Sequence, residues 1–220
     1  MRLMDQDTQQ QVRELLSAVK SPVTLQLFTQ EIECGYCRET RQIAEEIAEL
    51  SDLVTLRVND FVTDKELAQS LGVDKIPATL VLGEVDQDYG IRFYGIPSGY
   101  EFTSLLEAIL LVGTGSFELS QGTLAFLEGL EEPLHMQVFV TPTCPYCPQA
   151  VVLAHVLAFA SGKIKADMVE VTEFPHLGQR YQVMGVPRTV INENTYIEGA
   201  VPEQMLLEKL KAAVKQPARS

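Results

Sequence analysis

At 220 residues with 46% hydrophobic composition, the chain can form one large or two small domains and can bury a core without disulfide staples. Its net charge of −13, from 30 acids against 17 bases, argues against nucleic acid and anionic membrane as partners, because both require clustered Lys and Arg. No run of about 18 uncharged apolar residues predicts a membrane span, and the acidic start Met1-Arg-Leu-Met-Asp-Gln-Asp7 does not read as a signal peptide. A cytoplasmic protein is expected.

Along the chain, Val12, Leu15, Leu16 and Val19 recur at helical spacing and predict a helix over 8–20, ended by Pro22. Residues 23–28 alternate as a strand. The segment Cys34-Gly-Tyr-Cys37 opens a helix reaching about Leu50, with Ile43 and Ile47 inward and Glu45, Glu46 and Glu49 outward. A strand over 53–58, a short helix over 65–71 stopped by Gly72, strands over 78–82 and 91–94, and an apolar helix over 103–112 follow. Gly113-Thr-Gly-Ser116 is the linker candidate, small and polar. A helix over 120–131 leads into a second round: strand 136–141, helix 147–160, strand 165–171, a short helix near 176–182, strands 188–192 and 195–198, and helix 203–214.

The helix over 147–160 is apolar nearly all round, which demands burial on most faces. The other unit is the first expectation for its cover, and a homo-oligomer formed through the apolar 149–160 helix is the second. His155 within it is read as a hydrogen-bonded packing residue. His135 and His176, near element boundaries, are read as solvated.

All four cysteines lie in two Cys-x-x-Cys motifs, Cys34-Gly-Tyr-Cys37 and Cys144-Pro-Tyr-Cys147. Each is followed, at the same separation, by a β-branched residue and a proline that opens a strand: Ile76-Pro77 and Val186-Pro187. That constant offset predicts two tandem units, 1–116 and 117–220. Each is α/β, a mixed central sheet with helices on both faces, because strand–helix–strand crossovers give parallel pairs and the final hairpin adds antiparallel strands.

Closely paired thiols in a reducing compartment are catalytic or metal-binding more often than structural. A thiol at a helix N-terminus is held as thiolate by unpaired N–H groups and the helix dipole, with pKa values falling to roughly 3.5–7.5. Cys34 and Cys144 are therefore the expected exposed attackers. Cys37 and Cys147 are the sheltered thiols that resolve a mixed disulfide. Pro145 and Pro148 suit a first turn, where no backbone donor is missed, and place that helix start at Thr143 or Cys144. Pro77 and Pro187 are expected in cis, leaving the backbone of Ile76 and Val186 to pair with an extended substrate strand. Tyr36 and Tyr146 are expected to pack or hydrogen-bond beside the sulfurs, since a phenol of pKa about 10 suits proton transfer at neutral pH poorly.

Cys144-Pro-Tyr-Cys147 resembles the glutaredoxin active site, whereas Trp, usual just before the thioredoxin motif, is absent from the chain. More closely, Val138-Phe-Val-Thr-Pro-Thr-Cys-Pro-Tyr-Cys-Pro148, Gly185-Val-Pro187 and Glu198-Gly-Ala-Val-Pro202 resemble the tandem protein disulfide oxidoreductases, a likeness spanning essentially the whole chain. The resemblance implies two fused thioredoxin-fold units acting on protein disulfides through redox-active disulfides alone, without other cofactor or metal. Electrons would come from a thioredoxin-reductase-like flavoenzyme. It also implies the redox pairs Cys34/Cys37 and Cys144/Cys147 and the cis prolines Pro77 and Pro187. Gly35 replaces a bulkier residue, so the two sites are not expected to be equal. Enzymes of this type use a buried acid near the resolving cysteine. The first strands offer only Phe28 and Val138 there; Asp60, Asp167, Glu170 and Glu173 are the substitutes, set against their reading as solvated strand edges. Competing roles are an electron relay to a peroxidase, a glutathione-dependent enzyme using Arg188, a structural zinc site and a pair of inert staples.

Overall fold

The computed structural model describes residues 2–214. The leading helix α1 (Gln6–Leu16) is capped by Asp5, whose carboxylate accepts from the Thr8 N–H at 2.8 Å, and it buries Val12 and Leu16. The first half continues with β1 (Val23–Thr29), α2 (Cys37–Ala48), β2 (Val54–Asp60), α3 (Lys65–Ser70), β3 (Ala78–Leu82), β4 (Asp88–Tyr94) and α4 (Glu101–Thr114). After α5 (Gln121–Glu128) the order returns as β5 (Leu134–Val140), α6 (Cys147–Ala160), β6 (Ile164–Glu170), α7 (Pro175–Arg180), β7 (Arg188–Ile191), β8 (Thr195–Glu198) and α8 (Glu203–Val214).

The strands run β2-β1-β3-β4-β6-β5-β7-β8 in one eight-stranded sheet. Within each half the crossover pair is parallel, β1 with β2 and β5 with β6, and the hairpin strands are antiparallel. The halves join where β4 pairs in parallel with β6, placing Arg92 opposite Asp167 and Phe93 opposite Met168. The sequence reading gives each unit its own sheet. In the structure the last hairpin strand of one half meets the crossover strand of the other, so neither leaves an open edge there.

The seam is layered. On one face α4 packs against α6, and α6 also lies on β4, β5 and β6. The apolar α6 thus finds its cover within the chain, and no residue from 150 to 160 is exposed. On the opposite face Arg92, only 2% exposed, donates to the Asp88 carboxylate at 2.6 and 3.2 Å and to the Leu71 carbonyl at 2.9 Å. Asp167 meets the His135 ring at 2.6 Å.

Several expectations are corrected. Gly113 and Thr114 belong to α4, and the Gly113 carbonyl accepts from Lys20 and Ser21, so this part of the linker candidate is packed helix. Helix α1 stops at Leu16, well before Pro22. Glu46 is buried, because its carboxylate accepts from the Leu3 and Met4 N–H groups at 2.7 and 2.9 Å and pins the N-terminal segment to α2. His155 is buried beside the Phe93 ring, but neither ring nitrogen finds a hydrogen-bond partner among the described residues. Burial pushes its pKa down to about 4, which the nearby Arg92 backbone and Asp167 charge only partly oppose. His135 pairs with the buried Asp167 while its side chain stays 40% exposed, and His176 is exposed as expected.

Candidate active site

Both Cys-x-x-Cys segments follow the C-terminal end of a central parallel strand, β1 or β5, and lead into the first turn of the next helix. In both, the helix begins at the second cysteine, with Tyr36 or Tyr146 as the N-cap. The start expected at Thr143 or Cys144 therefore lies at Cys147, and Pro148 falls in the first turn, where its missing N–H costs nothing. Each pair is closed as a disulfide, with Cα–Cα distances of 5.6 Å for Cys34–Cys37 and 5.5 Å for Cys144–Cys147. The peptide bonds Ile76–Pro77 and Val186–Pro187 are both cis.

The pairs differ in their surroundings. At the first, Cys37 is 2% exposed and Cys34 half-buried, at a recess of about 530 Å³ that Arg38, Arg41 and Asp60 also line. At the second, Cys147 is fully buried and Cys144 only 8% exposed, so the expected exposed attacker is sheltered too. Sγ of Cys144 lies 3.7 Å from the Val186 carbonyl oxygen. Among the described residues, Cys34 and Ile76 make no such contact. Pro145 and Tyr146 are exposed and Tyr36 is nearly half exposed.

The substitute acids sort themselves by geometry. The Asp60 carboxylate accepts from the Thr63 and Val62 N–H groups at 2.9 and 3.0 Å, and the Thr63 amide holds its pKa below the usual range: it caps a turn. Asp167 and Glu170 are buried, not solvated strand edges. Glu170 accepts from the Thr172 hydroxyl at 2.6 Å and the Glu173 N–H at 2.8 Å. Glu173 accepts from the Ile96 N–H at 2.6 Å, and burial, helped by the Glu170 charge, pushes its pKa up to about 7.

The acid that sequence reasoning missed is Glu101. It opens α4 just after the Tyr100 N–H, which donates to the Pro142 carbonyl at 3.0 Å on the approach to Cys144. It is fully buried, and neither carboxylate oxygen has a hydrogen-bond partner among the described residues. Burial pushes its pKa up to about 7, with Ser104 opposing only weakly. The signal for it in the sequence is an acid heading an apolar helix, which begins at Glu101 and not at the expected residue 103.

Arg188, the cation considered for a glutathione carboxylate, is buried, ion-paired to Glu198 and stacked on Tyr196 at 4.7 Å. Among the described residues, no group of three or more His, Cys, Asp or Glu is placed to hold a metal.

Residues 134–212 match the family described as the thioredoxin domain. Over 97% of its length the chain superposes, at TM-score 0.89 and 29% identity, on 96% of a protein disulfide oxidoreductase from Aeropyrum pernix. This is a thioredoxin-fold protein with two Cys-x-x-Cys motifs. A second similar solved structure is the NTD_N/C domain of alkylhydroperoxide reductase AhpF from Enterococcus faecalis, at TM-score 0.86 and 26% identity over 93% of this chain and 98% of that one. The corresponding alkyl hydroperoxide reductase of Staphylococcus epidermidis is 26% identical over 94% of the chain. The chain spans only 38% of that relative's length. No helix among the described residues is long and apolar enough to cross a membrane.

Proposed function

We propose that the chain is a dithiol–disulfide oxidoreductase acting on protein disulfides in the cytoplasm, with two units, 1–116 and 117–220, each carrying one redox pair. The Cys144 thiolate attacks a substrate disulfide, forming a mixed disulfide and releasing one substrate thiolate. Cys147 then loses its proton and attacks Cys144, which releases the second substrate thiolate and leaves the Cys144–Cys147 disulfide. Two electrons pass to the substrate, and its two released thiolates take up two protons, replacing those that left Cys144 and Cys147. Cys34 and Cys37 do the same in the first unit.

The observation that carries this reading is the Cys144 sulfur against the Val186 carbonyl at the head of α6. A substrate strand pairing with the Val186 backbone would present its own sulfur beside Cys144, as Ile76 and Pro77 would do for Cys34. Glu101 is our assignment for the group that accepts the Cys147 proton, because the hydrogen bond from Tyr100 N–H to the Pro142 carbonyl ties the head of α4 to the approach to Cys144. The exposed Pro145 and Tyr146 shape the second mouth, and Tyr36 the first.

A second reading is a relay carrying electrons from a thioredoxin-reductase-like flavoenzyme to a peroxidase. It is favoured by the alkyl hydroperoxide reductase relatives, which the chain matches along 94% of its own length. Both readings use the same sulfurs and no further cofactor. Turnover of insulin disulfides with dithiothreitol tests the first. NADPH oxidation by such a flavoenzyme, dependent on both this chain and a peroxidase, tests the second. Absence of insulin reduction by the reduced chain would overturn the first reading.

A further inference from the structure

Both halves end their last hairpin in a glycine whose N–H donates to the site proline's carbonyl: Gly95 to Pro77 at 2.9 Å and Gly199 to Pro187 at 2.8 Å. Beyond that glycine the copies diverge. The next amide in the first half, Ile96 N–H, donates to Oε1 of Glu173 at 2.6 Å, across 77 positions and into the other half. Its counterpart, Ala200 N–H, has no acceptor among the described residues.

Glu173 is itself fixed from behind. Its N–H donates to Glu170 at 2.8 Å, and Glu170 is bound in turn by the Thr172 hydroxyl at 2.6 Å. The approach is close enough to require glycine: Gly95 has φ +92°, and a Cβ there would stand 2.7 Å from both the Glu170 Cβ and Glu173 Oε1. Burying this carboxylate beside a second one is unfavourable, as its raised pKa reports. The far end of the same segment is also anchored in the second half, by the Tyr100–Pro142 hydrogen bond.

We propose that Glu173 is a positioning residue that the second half lends to the first: by holding the Ile96 amide, it fixes the Gly95–Ile96 segment beneath the Pro77 carbonyl and thereby sets the Ile76–Pro77 shelf of the Cys34/Cys37 site. The inference rests on the proposed reading of that shelf as the place where a substrate strand pairs. It makes the two units unequal by construction, because only the first borrows part of its shelf.

The test uses the full chain with Cys144 and Cys147 both replaced by serine, so that insulin reduction reports the first site alone. Loss of a hydrogen bond to a charged group is worth about a factor of ten, so Glu173→Ala should raise KM about tenfold with kcat little changed. Glu173→Gln keeps an acceptor oxygen at the same reach and should restore KM. Glu173→Asp, one methylene shorter, should fail like Ala and replaces it if the Ala variant does not fold. In the reciprocal chain, with Cys34 and Cys37 as serine, none of these variants should alter KM. An unchanged first-site KM in Glu173→Ala, equal losses in Ala and Gln, or equal losses at both sites would overturn the proposal. If the chain with only the first pair shows no turnover at all, the first-site activity itself is what fails. Amide exchange at Ile96 then decides: about tenfold faster exchange in Glu173→Ala but not in Glu173→Gln supports the clamp, and unchanged exchange in Ala sinks it.

Discussion

Sγ of Cys144 and the carbonyl oxygen of Val186 lie 3.7 Å apart, although 42 positions separate them in the chain. No matching contact joins Cys34 to Ile76 among the described residues. The two pairs therefore differ in how the leading sulfur meets the residue before its proline. Cys144→Ser should lower kcat/KM for insulin reduction by at least about a hundredfold, the scale of losing an essential group. Cys34→Ser should cost less than about tenfold. Equal losses in steady-state assays of the two variants would contradict this asymmetry.

Glu101 is buried without a partner among the described residues, and its carboxyl is therefore kept neutral up to a pH of about 7. If Glu101 accepts the Cys147 proton as proposed, it must be ionised, so resolution of the mixed disulfide should accelerate as pH rises through about 7. Glu101→Gln should remove that rise and slow resolution about a hundredfold, the low end of what a positioned base contributes. Single-turnover kinetics against pH measure it; an unaltered profile would exclude the role.

The same group predicts a stability change with a definite sign. A carboxyl raised from 4.5 to about 7 on folding contributes stability that is complete below 4.5 and lost as pH rises to about 7. At about 1.4 kcal/mol per pKa unit, that loss is on the order of 3 kcal/mol. Glu101→Gln should therefore be more stable than the parent at pH about 8, by urea denaturation, with the gap closing towards pH about 4.5.

His155 acts at the acid end. Its pKa falls from 6.5 to about 4 on burial, so the stability it allows is complete above 6.5 and lost as pH falls through about 4. His155→Leu should flatten the decline in unfolding free energy between those limits. A curve with the parent's slope would show that the buried imidazole is not what titrates.

Gly99 holds the approach to the second pair. Its φ is +60°, and a Cβ would come within 2.2 Å of the Pro142 carbonyl oxygen, which also accepts from Tyr100. Gly99→Ala should destabilise the chain by about 1–3 kcal/mol, the range for overpacking and backbone strain. It should slow the second site more than the first. Parallel kinetics on the two single-site chains would reveal an even effect if this is wrong.

Much of this was legible in the sequence because it repeats. The element order, the cysteines at helix starts, the two prolines and the apolar α6 all follow from periodicity and spacing, which are local. What escaped is what the two halves do to each other. Asp167 and Glu170 look like solvated strand edges until β4 sets Arg92 opposite Asp167 and Gly95 closes over Glu170. Glu46 reads as an outward acid because nothing local marks its backbone partners at Leu3 and Met4. Glu101 heads α4 two residues before the apolar run that marks this helix in the sequence, so no local pattern includes it.

The most direct test asks whether the helix start activates the leading sulfur. In the reduced chain with Cys34, Cys37 and Cys147 as serine, thiolate absorbance against pH reports Cys144 alone. The account predicts ionisation at a pKa between about 3.5 and 7.5. A midpoint at or above about 8.5, that of an ordinary cysteine, would contradict it.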